Sequence, residues 1–374
     1  MQKSLLHRIH IAALVTAAAG AAPAAVLAAD SPVTTLAQIL TNSGITESGY
    51  VAGSYYHSTG DNRDHQFDTQ HDTFQLDQAG LTLAYQPKTG FGAVVDVIAG
   101  EDAKIVDGAE SAGASANSFD LLQGYAQYVT GPLTIQAGKF TTLAGAEVIA
   151  PTGNTNFSRS LLFFAEPMTH TGLRATYALT DTVSVIVGIN NGWNYTKLDG
   201  FSSKTGEFGV SLTPNKYFSL TAQAYVGRDP VYGAGRTLFD AVGTYNATSA
   251  LSIVASFDWG KQAEVAGPDL KWDGIAGYVN YQFNSEWRVS LRGEYLDDKD
   301  GFVSGVAQKL TEGTVTLGYD PVSNFEVRTE LRYDSSNLST FTTASGLAEP
   351  FLKWSDGTPT GSQTEIAVQG VFKF

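Results

Sequence analysis

Residues 325–334 read FEVRTELRYD. Phe325, Val327, Thr329, Leu331 and Tyr333 fall on one side. Glu326, Arg328, Glu330, Arg332 and Asp334 fall on the other. A repeat of two is the only spacing that separates them, and that is the repeat of an extended strand. A soluble sandwich could also produce one such strand, so recurrence decides. Val183, Val185, Val187 and Ile189 share a face. Phe218, Leu220, Ala222, Ala224 and Val226 stand opposite Ser219, Thr221, Gln223 and Tyr225. Residues 251–259 and 287–295 alternate in the same way, and 366–374 end on Phe374. Strands of about ten residues are long enough to cross a bilayer at a tilt.

The connections provide a second, independent test. Short ones fall at 87–90, 131–132, 180–181, 214–217, 248–250, 284–286 and 320–324. Longer ones lie between them, at 57–73, 101–118, 139–172, 191–204, 229–236, 260–271, 297–310 and 335–361. Short and long alternate throughout, as in barrels with short periplasmic turns and long outer loops. The expectation is an all-β fold, a transmembrane antiparallel β-barrel of about 16 strands. Aromatics gather at strand ends as interfacial girdles would require: Tyr85, Phe91, Phe218, Trp287 and Phe325 on the turn side, Trp259 and Trp272 on the loop side. Closure also removes the edges that so many strands would expose.

The charged faces define the interior. An Arg facing lipid at mid-bilayer costs about 2–4 kcal/mol. Glu326, Arg328, Glu330 and Arg332 are therefore expected inside, as are Arg288, Arg292 and Glu294. A barrel of this size is wide enough for an aqueous channel, so these seven residues are expected to line a pore. Residues 139–172 show no clean period and contain four apolar residues in a row, Leu161 to Phe164. Such a run needs shelter. The stretch is expected to fold inward and constrict the lumen, presenting Glu147, Arg159, Glu166 and His170. Basic wall residues facing Glu147 and Glu166 would set up a transverse field. The competing reading is that the wall charges pair with one another and only stabilise it.

Composition and the N-terminus agree. Lys3 and Arg8 precede an apolar run to Leu27, with small residues at Ala28 and Ala29. Residues 1–28 are read as a signal peptide, 29–44 as a periplasmic segment carrying a short helix, and 45–374 as the barrel. The chain has no Cys and a formal net charge of -14. Disulfides and thiolate metal sites are excluded, and a polyanion makes a poor nucleic-acid ligand. Mean hydropathy is -0.07. That value suits a barrel whose polar inner face cancels its apolar outer one.

Residues 124–148, GYAQYVTGPLTIQAGKFTTLAGAEV, and 156–181, NFSRSLLFFAEPMTHTGLRATYALTD, resemble the β-barrel porin-2 family. The shared elements are Gly138-Lys139-Phe140, Ser158-Arg159-Ser160, and Pro167 followed by Thr169-His170-Thr171-Gly172. Residues 39–56 are also similar. The resemblance implies an outer-membrane porin. It names no solute and carries over no catalytic residue. The partners that follow are outer-membrane lipid, lipopolysaccharide and small hydrophilic solutes, with a homotrimer as one assembly. No cofactor is implied.

Other motifs lead to nothing sharper. His57, Asp61, Asp64, His65, Asp68, His71 and Asp72 crowd the first outer loop, but their spacing fits no closed metal site. They are read as a solvated acidic loop. Lys204-Thr205-Gly206 lacks the Ser-x-x-Lys it would need for enzyme chemistry, and no nucleophile elbow accompanies His170. The chain is not expected to be an enzyme. The rival to a passive channel is a closed barrel scaffold whose outer loops bind a surface partner, with Phe341, Phe351 and Trp354 of the last loop as its best argument.

Overall fold

The computed structural model describes residues 35–111, 116–197, 202–342 and 358–374. The expected signal peptide lies outside the described residues, as do Phe351 and Trp354. The chain enters through a short helix, α1 (Leu36–Asn42), before the first strand. The strands of the first half are β1 (Ile45–Ser58), β2 (Thr73–Tyr85), β3 (Gly90–Ala99), β4 (Phe119–Thr130), β5 (Leu133–Thr141), β6 (Thr169–Ala178), β7 (Val183–Asn190) and β8 (Thr205–Asn215). Those of the second half are β9 (Phe218–Asp229), β10 (Ala234–Asn246), β11 (Leu251–Gln262), β12 (Leu270–Gln282), β13 (Trp287–Asp298), β14 (Gln308–Val322) and β15 (Phe325–Ser336). A two-residue ribbon, β16 (Phe341–Thr342) with β17 (Pro359–Thr360), precedes the last strand, β18 (Ser362–Lys373).

Sixteen of these strands, β1 to β15 and β18, form one closed antiparallel barrel. Each pairs with its neighbours in the chain, and β18 closes the ring between β15 and β1. At the seam, Gly49 and Phe374 exchange backbone hydrogen bonds of 2.9 Å in both directions. The Phe374 ring occupies the space a side chain at Gly49 would need, since a Cβ there would lie 2.4 Å from it.

The alternation in the sequence becomes the two faces of the wall. On β15, Glu326, Arg328, Glu330, Arg332 and Asp334 are buried inside, whereas Leu331 and Tyr333 are half exposed outside. Val187, Ile189, Ile366 and Val368 also point outward. The exterior is therefore apolar and the interior polar, as a lipid-embedded barrel requires. Among the described residues no helix is long and apolar enough to cross a membrane.

Three expectations are corrected. The loop across the lumen is shorter than residues 139–172, because β5 runs to Thr141 and β6 begins at Thr169. His170 is thus a wall residue. Trp272 is not part of an outer girdle. It sits at an inward position of β12, fully buried, stacked on Phe302 with ring centroids 4.5 Å apart. The first outer loop, L1 (59–72), is not simply solvated. Asn62, Asp64, His65, Phe67 and Asp68 are buried within it. The second, L2 (100–118), contains a helix, α2 (Glu101–Glu110), whose Ala103 and Val106 pack against Phe67 of L1 and Ile98 of β3.

Candidate functional site

The site is built where L3 (142–168) meets the inner wall. L3 carries a 3-10 turn at Pro151–Gly153 and one turn of helix, α3 (Leu161–Phe164). Ser160 caps α3, its Oγ accepting from Phe163 N at 2.9 Å. Leu161, Leu162 and Phe163 are all buried, which stabilises the inward position by roughly 2 kcal/mol for each side chain. Leu161 and Leu162 pack with Leu238, Trp272 and Leu296 of the wall. Phe163 joins Phe67 and Met168. Phe157 packs against Tyr56 of β1 and Ala367 of β18.

Between these apolar anchors, residues 155–162 run along a rail of charged side chains on β13 and β15. Arg288 Nη1 donates to Thr155 O (2.6 Å), and Arg328 Nη1 donates to Asn156 O (3.3 Å). Glu330 accepts from Phe157 N (2.7 Å) and Ser158 N (2.9 Å). Arg292 donates to Ser158 O and Ser158 Oγ, both at 2.8 Å. Arg332 Nη1 donates to Arg159 O (2.7 Å), and Glu294 accepts from Leu162 N (3.3 Å). A loop segment without secondary structure has backbone groups to satisfy, and this wall supplies partners for them residue by residue.

The rail is also internally paired. Arg328 bonds Glu326 at 2.9 Å, Arg332 bonds Asp334 at 2.8 Å, and Arg292 lies 3.2 Å from both Glu294 and Glu312. Arg288 pairs with Glu326. All seven expected lumen charges therefore sit on the inner face. Six are buried, and Arg288 remains partly exposed. Arg288 borders a polar pocket of about 210 Å³, with Thr155, Ser252, Asn280 and Gln282, at the end of the barrel carrying the short turns.

The loop residues divide. Glu147 meets the basic wall, bonding Arg292 at 2.9 Å and accepting from Ser160 N at 2.6 Å. Arg159 does not face the wall with its guanidinium. It donates to the carbonyls of Val148, Phe157 and Ile149 at 2.7–2.9 Å and so ties L3 to itself. Glu166 lies apart from the arginines, against Asp240 and Asp258. Burial, and then those two carboxylates, push it well above the usual carboxylate range. His170 on β6 stacks on Tyr225 at 4.7 Å and bonds Gly192 O at 3.0 Å.

The sequence reading took L1 for a solvated acidic loop and missed its inward packing. His65 is held between Asp68 (2.6 Å) and Asp334 (3.0 Å). Asn62 Nδ2 donates to Glu365 at 2.5 Å. Lys139 of β5 likewise holds α2 through Glu110 at 2.7 Å and the wall through Asp120 at 3.0 Å. Outer loops are polar by composition, so only these pairings mark which of them turn inward.

The comparisons can be placed on this geometry. The family described as "Putative beta-barrel porin-2, OmpL-like" matches residues 44–374. No curated protein matches the sequence. Among solved structures, Pseudomonas putida OprB superposes with a TM-score of 0.62 at 13% identity, covering 91% of this chain and 96% of its own. OmpT, an outer membrane protein of Vibrio cholerae, gives 0.60 at 13% identity, with 88% and 97% covered. The anion-selective porin from Comamonas acidovorans gives 0.56 at 12%, with 88% and 99% covered. At such identities the likeness shows the fold.

Proposed function

The chain belongs to the family of β-barrel porins described as Putative beta-barrel porin-2, OmpL-like, and from that premise we propose that it is a passive channel of the Gram-negative outer membrane. Its cargo is small hydrophilic solutes or ions. The observation that carries this reading is the contrast between the two faces of the wall. The exterior strand positions are apolar, whereas the interior ones carry Arg, Glu, Asp, Gln and Ser. A barrel serving only as a scaffold has no need of a charged interior.

L3 sets the passage. Its charged rail and apolar anchors hold it across the lumen, so solute passes beside it and through the polar pocket at Arg288. Glu147 and the paired arginines act first as anchors of L3, and Arg288 is the arginine of the rail most open to a passing ion. The surroundings are outer-membrane lipid and lipopolysaccharide, and the assembly is proposed to be a homotrimer. OmpT of Vibrio cholerae has a trimer form.

The test is single-channel recording of the refolded chain in a planar bilayer. Discrete steps with a reversal potential in a salt gradient are expected. A folded barrel that passes no current would favour the second reading, a closed scaffold. The joint packing of L1, α2 and L3 inside the barrel is the observation on that side.

A further inference from the structure

Glu166 of L3 meets Asp240 of β10 and Asp258 of β11 inside the barrel, and one carboxylate oxygen from each lies within 4.8 Å of the others. Asp240 and Asp258 are direct cross-strand partners, the arrangement in which like charges destabilise a sheet. All three residues are buried; Asp240 and Asp258 have no exposed surface. The crowding is built in from both sides. Leu162 of L3 occupies the space above Gly274, the partner of Asp258 on β12. Gly145 covers Glu166 in a left-handed conformation, φ 86°, and a Cβ there would lie 2.0 Å from Glu166 Oε2.

A separate observation concerns what these carboxylates lack. Neither oxygen of Asp240, neither oxygen of Asp258, nor Glu166 Oε2 accepts a hydrogen bond of full geometry, although the Gly145 backbone N–H lies near Asp240. No Lys, Arg or His among the described residues forms an ion pair with any of the three. The neighbours on the same faces are unsatisfied too. Gln223, opposite Asp240 on β9, has no partner for either amide atom, and Ser256, two residues before Asp258, has none for its hydroxyl. Both are buried. Elsewhere in the lumen buried carboxylates meet cations, as Glu312 meets Arg292, or side-chain donors, as Asp77 meets Ser54 and Gln369 and Asp102 meets Gln78. Here three carboxylates meet with no cation among them, and buried charge without a partner is not tolerated.

We propose that Glu166, Asp240 and Asp258 form a calcium site that clamps L3 to the wall at β10 and β11. The donor set is all oxygen, with no imidazole or thiolate, which selects a hard cation. Two oxygens on opposite sides of one Ca²⁺ are separated by about 4.6–5.2 Å, against roughly 4.1 Å around Mg²⁺. Oxygens within 4.8 Å of one another can be spanned by such an ion, and calcium accepts irregular carboxylate sets more readily than magnesium does. One ligand comes from the loop and two from the wall, so the ion bridges L3 to the barrel. The rail of β13 and β15 holds residues 155–162, and the ion would fasten the end of L3 next to β6. The alternative is that the three carboxyls share protons and need no metal.

The experiment uses the full chain refolded in detergent from inclusion bodies, free of lipopolysaccharide, whose phosphates would bind calcium themselves. The protein is stripped with EDTA, equilibrated with Ca²⁺ and passed through a desalting column, and bound calcium is measured by atomic emission. One equivalent per chain is expected for the wild type, and none for Asp240→Asn with Asp258→Asn. Glu166→Gln, a loop substitution outside every strand, covers the case in which the double variant does not fold, and it too should lose the equivalent. In the wild type, hydrogen exchange across 143–166 should slow by about tenfold when free Ca²⁺ is ten times its dissociation constant. Equal calcium content in wild type and folded variants would overturn the proposal, as would wild-type L3 exchange indifferent to EDTA. Either result would leave shared protons as the explanation. The readout is bound metal and loop protection, not current, so it stands apart from the channel reading.

Discussion

Two residues of L1 show how far a single side chain can govern this structure. Burial pushes the Asp64 carboxyl from 3.8 up to about 6. For His65, burial and Arg332 oppose the charge, yet Asp68 and Asp334 outweigh them and raise it from 6.5 to about 10. The signs follow from proton linkage. Folded Asp64 holds its proton more tightly than the unfolded chain does, so its contribution to L1 anchoring falls as pH rises from about 4 to about 6. The contribution of His65 is complete below about 6.5 and is lost as pH climbs towards 10. Hydrogen exchange of residues 59–72 should therefore accelerate in two steps between about pH 4 and 10, beyond the intrinsic pH effect. Asp64→Asn should remove the lower step and His65→Gln the upper one. A second residue-scale prediction separates Arg288 from Arg328. Arg288 borders the polar pocket, whereas Arg328 is buried. Arg288→Ala should shift the reversal potential toward cations. Arg328→Ala should leave the potential unchanged and loosen residue 156 instead. Equal shifts from both would mean that the rail lines the path directly.

At the scale of elements, β15 contains both halves of the argument. Its outward Leu331 is half exposed at mid-strand, and Leu331→Arg should cost about 2–4 kcal/mol in lipid. Its inward Glu330 takes two backbone N–H groups of L3 and the Thr316 hydroxyl at 2.5 Å. Glu330→Leu leaves those buried donors without an acceptor, at about 1–3 kcal/mol each. Exchange should then speed up at residues 157–158 while the strands of the barrel stay protected. Uniform loss of protection would place L3 inside the barrel's own cooperative unit. These two faces were legible in FEVRTELRYD because a repeat of two is fixed by strand geometry. The alternation of short and long connections was legible for the same reason, through strand length. What the inward faces touch was not. Nothing local distinguishes Glu166, which meets Asp240 and Asp258, from Glu147, which meets Arg292. His65 finds Asp334 across 269 positions of sequence. Trp272 at a strand end looked like a girdle residue, and only its parity in β12 turns it inward.

For the whole molecule, the question is whether the barrel depends on L3 or L3 on the barrel. The wall is a continuous ladder, and every strand of the sixteen is paired on both sides. The backbone bonds that close the seam at Gly49 and Phe374 involve no residue of L3, and L3 reaches the seam only through Phe157 on the pair Tyr56 and Ala367. The contacts of L3, by contrast, are side chains of the wall reaching for a segment that could not satisfy its own backbone. Dependence therefore runs one way. Replacing residues 143–166 by a short Gly/Ser link should leave a folded barrel, seen as heat-modifiable mobility on gels and an unchanged β-sheet spectrum. Freed of L3, the rail arginines and carboxylates would still pair with one another, as Arg328 does with Glu326 and Arg332 with Asp334. A 16-stranded wall without a crossing loop is wide enough for water, so single-channel conductance should rise several-fold over the full chain. Its selectivity should also come to depend on the rail, with Arg328→Ala now moving the reversal potential that it leaves alone when L3 is present. A deletion that folds but conducts no better than the full chain would mean that L1 and α2 close the lumen on their own, and the limiting element would then be the Phe67–Val106 packing rather than L3.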